Sequence, residues 1–291
     1  MSIDMVVNTQ PPTCEMLSEL IDYEGFHLMI RMKLFAVTVA TLGALSLAAC
    51  GGGSSGTAAG SSQGTLKIGT EGTYSPFTFH DKASNKLTGY DVEVAEAIGA
   101  KLGRKVEFSE TTFDSIFAGL EAKRYDVVAN QITVTPERQA KYTFSAPYTT
   151  SVGVIVTRAD DTSVTSVADI RGKTSAQSST SSFAKDATTA GAKVEAVEGF
   201  TQAVTLLKQK RVDITINDQL AVLDYLKTTG DTQVKIAATI GDPASQAFAF
   251  RKGSDLAPQF DQALKELRAD GTLKTISQKW FGQDVSGPAA S

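Results

Sequence analysis

One stretch of this chain occurs twice. "FDSIFAGLEAKRYDVVANQ" (113–131) returns as "FTQAVTLLKQKRVDITIND" (200–218), matching Phe113 to Phe200, Lys123-Arg124 to Lys210-Arg211 and Asp126 to Asp213. Apolar positions repeat as well, Phe117 with Val204 and Leu120 with Leu207, and upstream "GRKVEF" (103–108) mirrors "GAKVEA" (191–196). The offset of 87 positions, from Phe113 to Phe200, is too long for a solenoid unit and suits a lobe. Two similar lobes are therefore expected.

Each lobe reads as α/β. In the first, "LKIGT" (66–70), "KVEFSE" (105–110) and "YDVVAN" (125–130) are predicted strands. Between them, 90–103 carries Val94, Ile98 and Leu102 at helical spacing before Gly103, and 113–123 turns Phe113, Ile116, Phe117 and Leu120 inward. The second lobe repeats the pattern with strands at 172–177, 193–197 and 212–217 and helices from about 180 and over 200–210. Strands alternating with helices imply mainly parallel sheets with right-handed crossovers. A further strand at 246–252 and helices near 258–269 and 272–281 follow. A return of the chain to the first lobe would make a two-strand hinge; the pattern permits that return without requiring it.

The N-terminus is read separately. Arg31-Met32-Lys33 precedes the apolar "LFAVTVATLGALSL" (34–47), a secretory signal too short for a resident membrane span. It ends in "LAAC" (47–50), which resembles a lipoprotein lipobox, so 32–49 is expected to be a signal peptide and Cys50 a lipidated membrane anchor. Residues 1–31 are expected to be an upstream extension without native structure, and the Gly/Ser-rich 50–64 a flexible tether. Without residues 1–49, which carry five acids and two bases, the net charge of −4 becomes −1. That balance gives no reason to expect a nucleic-acid partner. His80 is the one histidine left and Cys50 the one cysteine, so neither a Cys/His zinc cluster nor a Ser-His-Asp triad can be assembled. No metal, cofactor or catalytic residue is expected.

In open parallel sheets, ligands bind beyond the carboxyl ends of strands. The repeat puts Asn130-Gln131 and Asn217-Asp218 at equivalent ends, one pair per lobe. Arg138 can fork a carboxylate, Thr133 can add a hydroxyl and an N–H, and Asp218 is an anion for an ammonium group. Together they describe a receptor for a zwitterion such as an α-amino acid. Ser179, Thr180 and Ser181, between a strand and a helix, could offer N–H groups to the same carboxylate. Tyr74 and Phe77 of "EGTYSPFTF" (71–79) would overhang the cleft. Each feature has a plainer reading: Arg138 as a surface residue, Asp218 as a helix cap, the Ser/Thr run as a loop, and Phe77 as core.

From about residue 64 to 285 the chain resembles the extracytoplasmic solute-binding proteins (family 3) of polar amino acid ABC transporters. The resemblance is carried by "EGTYSPFTF", "LTGYDVEVAEAIGAKLG", "FDSIFAGLEAKRYDVVANQITVTPERQAKYTFSAPYT", "QSSTSSF", "RVDITINDQ" and "DGTLKTISQKWFG". It implies a type II periplasmic-binding-protein fold whose lobes close on ligand, 65–151 plus 247–285 forming lobe 1 and 152–246 lobe 2. It also implies a monomer that delivers its ligand to an ABC permease, extracytoplasmic in the periplasm or at the cell surface. By the same resemblance Arg138 and Thr133, helped by backbone at Thr180 or Ser181, take the α-carboxylate. Asp218 and the carbonyl of Gln131 take the α-ammonium, Tyr74 and Phe77 flank the side chain, and Asn130 and Ser179 line the pocket. Gln131, where relatives carry a small residue, and Glu71, where several carry Asp, resemble members that bind cystine. L-Cystine is the first expectation, with another polar amino acid such as glutamine or arginine second. A periplasmic cyclohexadienyl or arogenate dehydratase is a remoter alternative, for which Glu71 is the sole carboxylate near the aromatics.

Overall fold

The chain folds around one continuous sheet with helices on both faces, seen in a computed structural model that describes residues 64–287. The expected signal peptide, the expected lipidation site Cys50 and the expected tether fall in residues 1–63, outside the described residues. Among those described, no helix is long and apolar enough to cross a membrane.

In chain order, β1 (Leu66–Thr70) leads into a small antiparallel sheet of β2 (Thr73–Tyr74), β3 (Thr78–His80) and β4 (Leu87–Thr88). Then come α1 (Tyr90–Lys101), β5 (Val106–Glu110), α2 (Phe113–Glu121), β6 (Val127–Thr133), α3 (Pro136–Lys141), β7 (Tyr142–Phe144) and β8 (Thr149–Arg158). The second half runs through β9 (Thr174–Gln177), α4 (Ser182–Thr189), β10 (Lys193–Ala196), α5 (Gly199–Lys208), β11 (Ile214–Asp218) and α6 (Gln219–Thr229). It closes with β12 (Val234–Arg251), α7 (Leu256–Ala269) and α8 (Thr272–Phe281).

The strand order β10-β9-β11-β8-β12-β6-β1-β5 contains two parallel triplets, β5-β1-β6 and β10-β9-β11. The antiparallel strands β8 and β12 border these triplets and pair with each other. The chain does return: β12 starts beside β8 in the second half and ends beside β6 in the first. The strand expected at 246–252 is the last part of an eighteen-residue one.

The repeat has a physical cause. α2 and α5 each end in a Schellman motif in which Arg124 N–H bonds Gly119 O and Lys123 N–H bonds Leu120 O, mirrored by Arg211 to Leu206 and Lys210 to Leu207. Lys123 and Lys210 both take φ 59°, the position glycine usually fills. Asp126 Oδ2 then accepts the amide of Lys67 at 3.1 Å, and Asp213 Oδ2 that of Thr174 at 2.8 Å, tying each turn to the first strand of its half.

The core of the first half gathers Ile68, Tyr90, Ile98, Phe248, Phe260 and Leu264 between the sheet and α1, α7 and α8. In the second half, Val156, Val204 and Leu207 pack on one face and Ile155, Ile170 and Ile214 on the other. Strands covered on both sides explain their nearly unbroken β-branched composition.

Candidate functional site

The ends of β1, β6, β9 and β11 converge on a chamber of about 60 Å³. The first half contributes Glu71, Thr73, Tyr74, Phe113, Asn130, Gln131, Thr133 and Arg138; the second contributes Gln177, Ser178, Ser181, Ser182, Phe183, Phe200 and Asn217 among others.

β6 does not stop where the polar residues begin, as expected from "YDVVAN"; it kinks. Its pairing passes from Val128↔Ala249 to Ile132↔Ala247, so four steps along β6 face two along β12, and Gln131 takes φ 48°. This is the extra length of a bulge, used to re-aim side chains. Asp91 on α1 holds it, Oδ2 accepting the Gln131 amide at 2.8 Å and Oδ1 accepting Nε2 at 2.6 Å. Thr149 Oγ1 accepts the other Nε2 hydrogen at 3.1 Å, and Gln131 Oε1 is left buried without a partner. Asn130 grips Glu71 twice, Oδ1 accepting its amide at 2.8 Å and Nδ2 donating to its Oε2 at 2.6 Å.

Arg138 sits on α3, whose N-cap Thr135 accepts the Arg138 amide and whose first residue is Pro136. Nη1 donates to Thr133 O at 3.0 Å and Nη2 to Thr180 O at 3.2 Å, while the guanidinium lies 5.7 Å from the Phe113 ring centroid and 5.3 Å from that of Phe117. These contacts use two of five donors and leave a fork for an anion. Burial lowers the guanidinium to about 10, so it stays charged at neutral pH. Among the described residues no carboxylate pairs with it.

Negative charge is concentrated nearby. Burial pushes Glu71 and Asp91 up to about 7 and Asp218 up to about 6. None of the three has a Lys or Arg partner among the described residues, and the Tyr74 hydroxyl is raised first by its burial and then by all three acids. Buried acids without a cation favour a positively charged guest. The described residues hold no group of three or more His, Cys, Asp or Glu suited to a metal.

The structure brings Glu71, Tyr74, Asn130, Gln131, Thr133, Arg138 and Ser181 of the expected residues to the chamber. Tyr74 does more than overhang it, donating to Asn217 Oδ1 at 2.6 Å on the far wall. Phe77 is not brought there: it is 0% exposed, packed between Tyr74 and Phe281, and serves the core. Asp218 stands behind the wall at 3% exposure, its Oδ1 accepting from Leu220 N–H and Ser151 Oγ as the N-cap of α6. Ser179 and Thr180 lie outside the chamber and turn their amides to Asp114. His80 bonds Asn85 and Glu110 and does not line the chamber. Phe113, assigned to the core by periodicity, and Phe200 were missed as wall residues, although their equivalence in the repeat marked them. Asp91 was missed because an acid in the first turn of a helix is common on dipole grounds alone.

A chamber between two similar α/β halves, with a free guanidinium fork and buried acids, defines a two-lobed binding protein for a small charged molecule. The chain belongs to the bacterial extracellular solute-binding proteins, family 3, whose model matches residues 66–283. It is 58% identical to the L-cystine-binding protein TcyA of Bacillus subtilis (strain 168) over 216 residues, 74% of this chain and 80% of that protein. The unliganded, open L-cystine solute receptor of Neisseria gonorrhoeae is 49% identical, with a TM-score of 0.53 over 77% of this chain and 96% of that one. An ancestral arginine-binding protein bound to arginine is only 36% identical, yet superposes at 0.72 over 76% and 99% of the two chains. The structure is thus nearer in shape to the arginine-bound protein than to the more similar open one.

Proposed function

We propose that the protein captures an L-α-amino acid outside the cytoplasmic membrane, L-cystine first among them, and passes it to an ABC permease. The observation that carries this reading is that an unneutralised Arg138 and Gln131, whose Oε1 is buried without a partner, both line one chamber. Arg138 and Thr133 would hold the α-carboxylate, with Ser181 opposite. Gln131, through its carbonyl and Oε1, would receive the α-ammonium in the field of Asp91 and Asp218. Tyr74, Phe113 and Phe200 would enclose the side chain, and Glu71, braced by Asn130, would take the second ammonium of cystine. The relatives named for L-cystine support this choice.

Residues 65–151 and 247–285 are assigned to lobe 1 and 152–246 to lobe 2, with β8 and β12 as the hinge. The mature protein is assigned as a monomer held to a membrane by lipid on Cys50.

A second reading, L-arginine, is favoured by one observation: Glu71 would suit its guanidinium equally well. Calorimetric titration of unfolded and refolded protein with L-cystine, L-arginine and L-glutamine separates the two. Tight binding of L-cystine is expected. Binding of L-arginine alone would move the assignment to the second reading, and silence across the panel would remove the amino-acid site.

A further inference from the structure

Asp114, in the first turn of α2, reaches away from its own helix. Its Oδ2 accepts the Ser179 amide at 3.1 Å, and its Oδ1 accepts the Thr180 amide at 2.9 Å and the Thr180 hydroxyl at 2.8 Å. These donors belong to the loop leading from β9 into α4. Since α2 packs on β1, β6 and β12 while α4 packs on β9, β10 and β11, the three bonds join the two halves. Asp114 does not line the chamber. It borders the wider vestibule outside, with Glu71, Phe113 and Ser178.

We propose that Asp114 is a closure residue that holds the lobes shut over the ligand without touching it, and so sets how long the ligand stays. An ionised carboxylate accepting two amides and a hydroxyl is a charge-assisted contact, stronger than the neutral Ser182–Thr133 bond that also joins the halves. It is coupled to the chamber through one residue. Thr180 gives its N–H and hydroxyl to Asp114 and its carbonyl to Nη2 of Arg138 at 3.2 Å, so parting the lobes undoes both grips together. The inference rests on the capture reading for what is retained.

The latch is absent while the lobes are apart, so it acts on release and not on encounter. Asp114→Ala is expected to raise koff for L-cystine about tenfold in stopped-flow displacement, with kon unchanged. Thr180→Val removes one of the three bonds and should give a smaller increase that does not add to the first. Asp114 is exposed, so both variants should melt like the parent protein. In the ligand-free protein, amide hydrogen exchange at Ser179 and Thr180 should be faster in Asp114→Ala than in the parent. An unchanged koff with unchanged exchange, or a change confined to kon, would overturn the proposal. If the parent gives no signal with L-cystine, the ligand assignment fails on its own. The exchange measurement then decides the latch, faster exchange supporting it and equal exchange overturning it.

Discussion

Nε2 of Gln131 lies 2.6 Å from Oδ1 of Asp91, and that bond commits the nitrogen end of the side-chain amide. With the amide nitrogen committed to Asp91 and Thr149, the oxygen is the end left free. A residue bulkier than its role in the chain trace requires is thereby made an acceptor.

Gln131→Ala should cost stability as well as ligand. The substitution strips the buried Asp91 of the side-chain amide donor at its Oδ1, a loss of about 1–3 kcal/mol. Urea denaturation of the ligand-free protein measures it. An unchanged midpoint at constant m-value would mean that Asp91 is satisfied by other groups.

Arg138→Ala should weaken L-cystine binding by about 3 kcal/mol or more, because a desolvated ligand carboxylate would lose its partner. Arg138→Lys should fall in between: one ammonium cannot hold Thr133 O, Thr180 O and a ligand carboxylate in fork geometry. Calorimetry reads both, and parental affinity in the alanine variant would take Arg138 out of the site.

The repeat made most of this legible. It announced two lobes and located two of the four strand ends on which the chamber is built, those of β6 and β11. What it could not convey was use. Asp218 and Phe77 occupy positions whose spacing fits a cap or a core residue as well as a ligand contact, and tertiary packing selected cap and core. Asp91 and Asp114 both read as ordinary first-turn acids, since only the folded chain shows that one bonds the β6 kink and the other bonds across the cleft. The kink itself was hidden because a β-branched run followed by polar residues looks the same whether the strand ends or bends.

Lys123 and Lys210 offer a test independent of any ligand. Both hold φ 59° in the left-handed region, which is strained for a residue with a Cβ. Lys123→Gly and Lys210→Gly should each raise stability, by up to about 1 kcal/mol after the entropy of the more flexible unfolded chain is counted. A lower midpoint in urea for either would show that contacts of the lysine side chain outweigh the relief of its backbone.

Binding should also move protons, in a direction the buried acids fix. Glu71 and Asp91 rise to about 7 and Asp218 to about 6, from ordinary values of 4.5 for the glutamate and 3.8 for the aspartates. Between about pH 4 and 7 the folded protein therefore holds more protons at these groups than the unfolded chain, so their contribution to stability falls as pH rises through that window. An ammonium group placed beside them favours their ionised forms. Its binding should expel protons near pH 6, and affinity should climb from pH 5 to 7.5. Titration with L-cystine at pH 6 in two buffers of different ionisation enthalpy reads the proton count directly, and the heats should differ in the sense of uptake by the buffer. Equal heats would mean that these acids keep their protonation when ligand arrives, which would place the ammonium away from Glu71, Asp91 and Asp218.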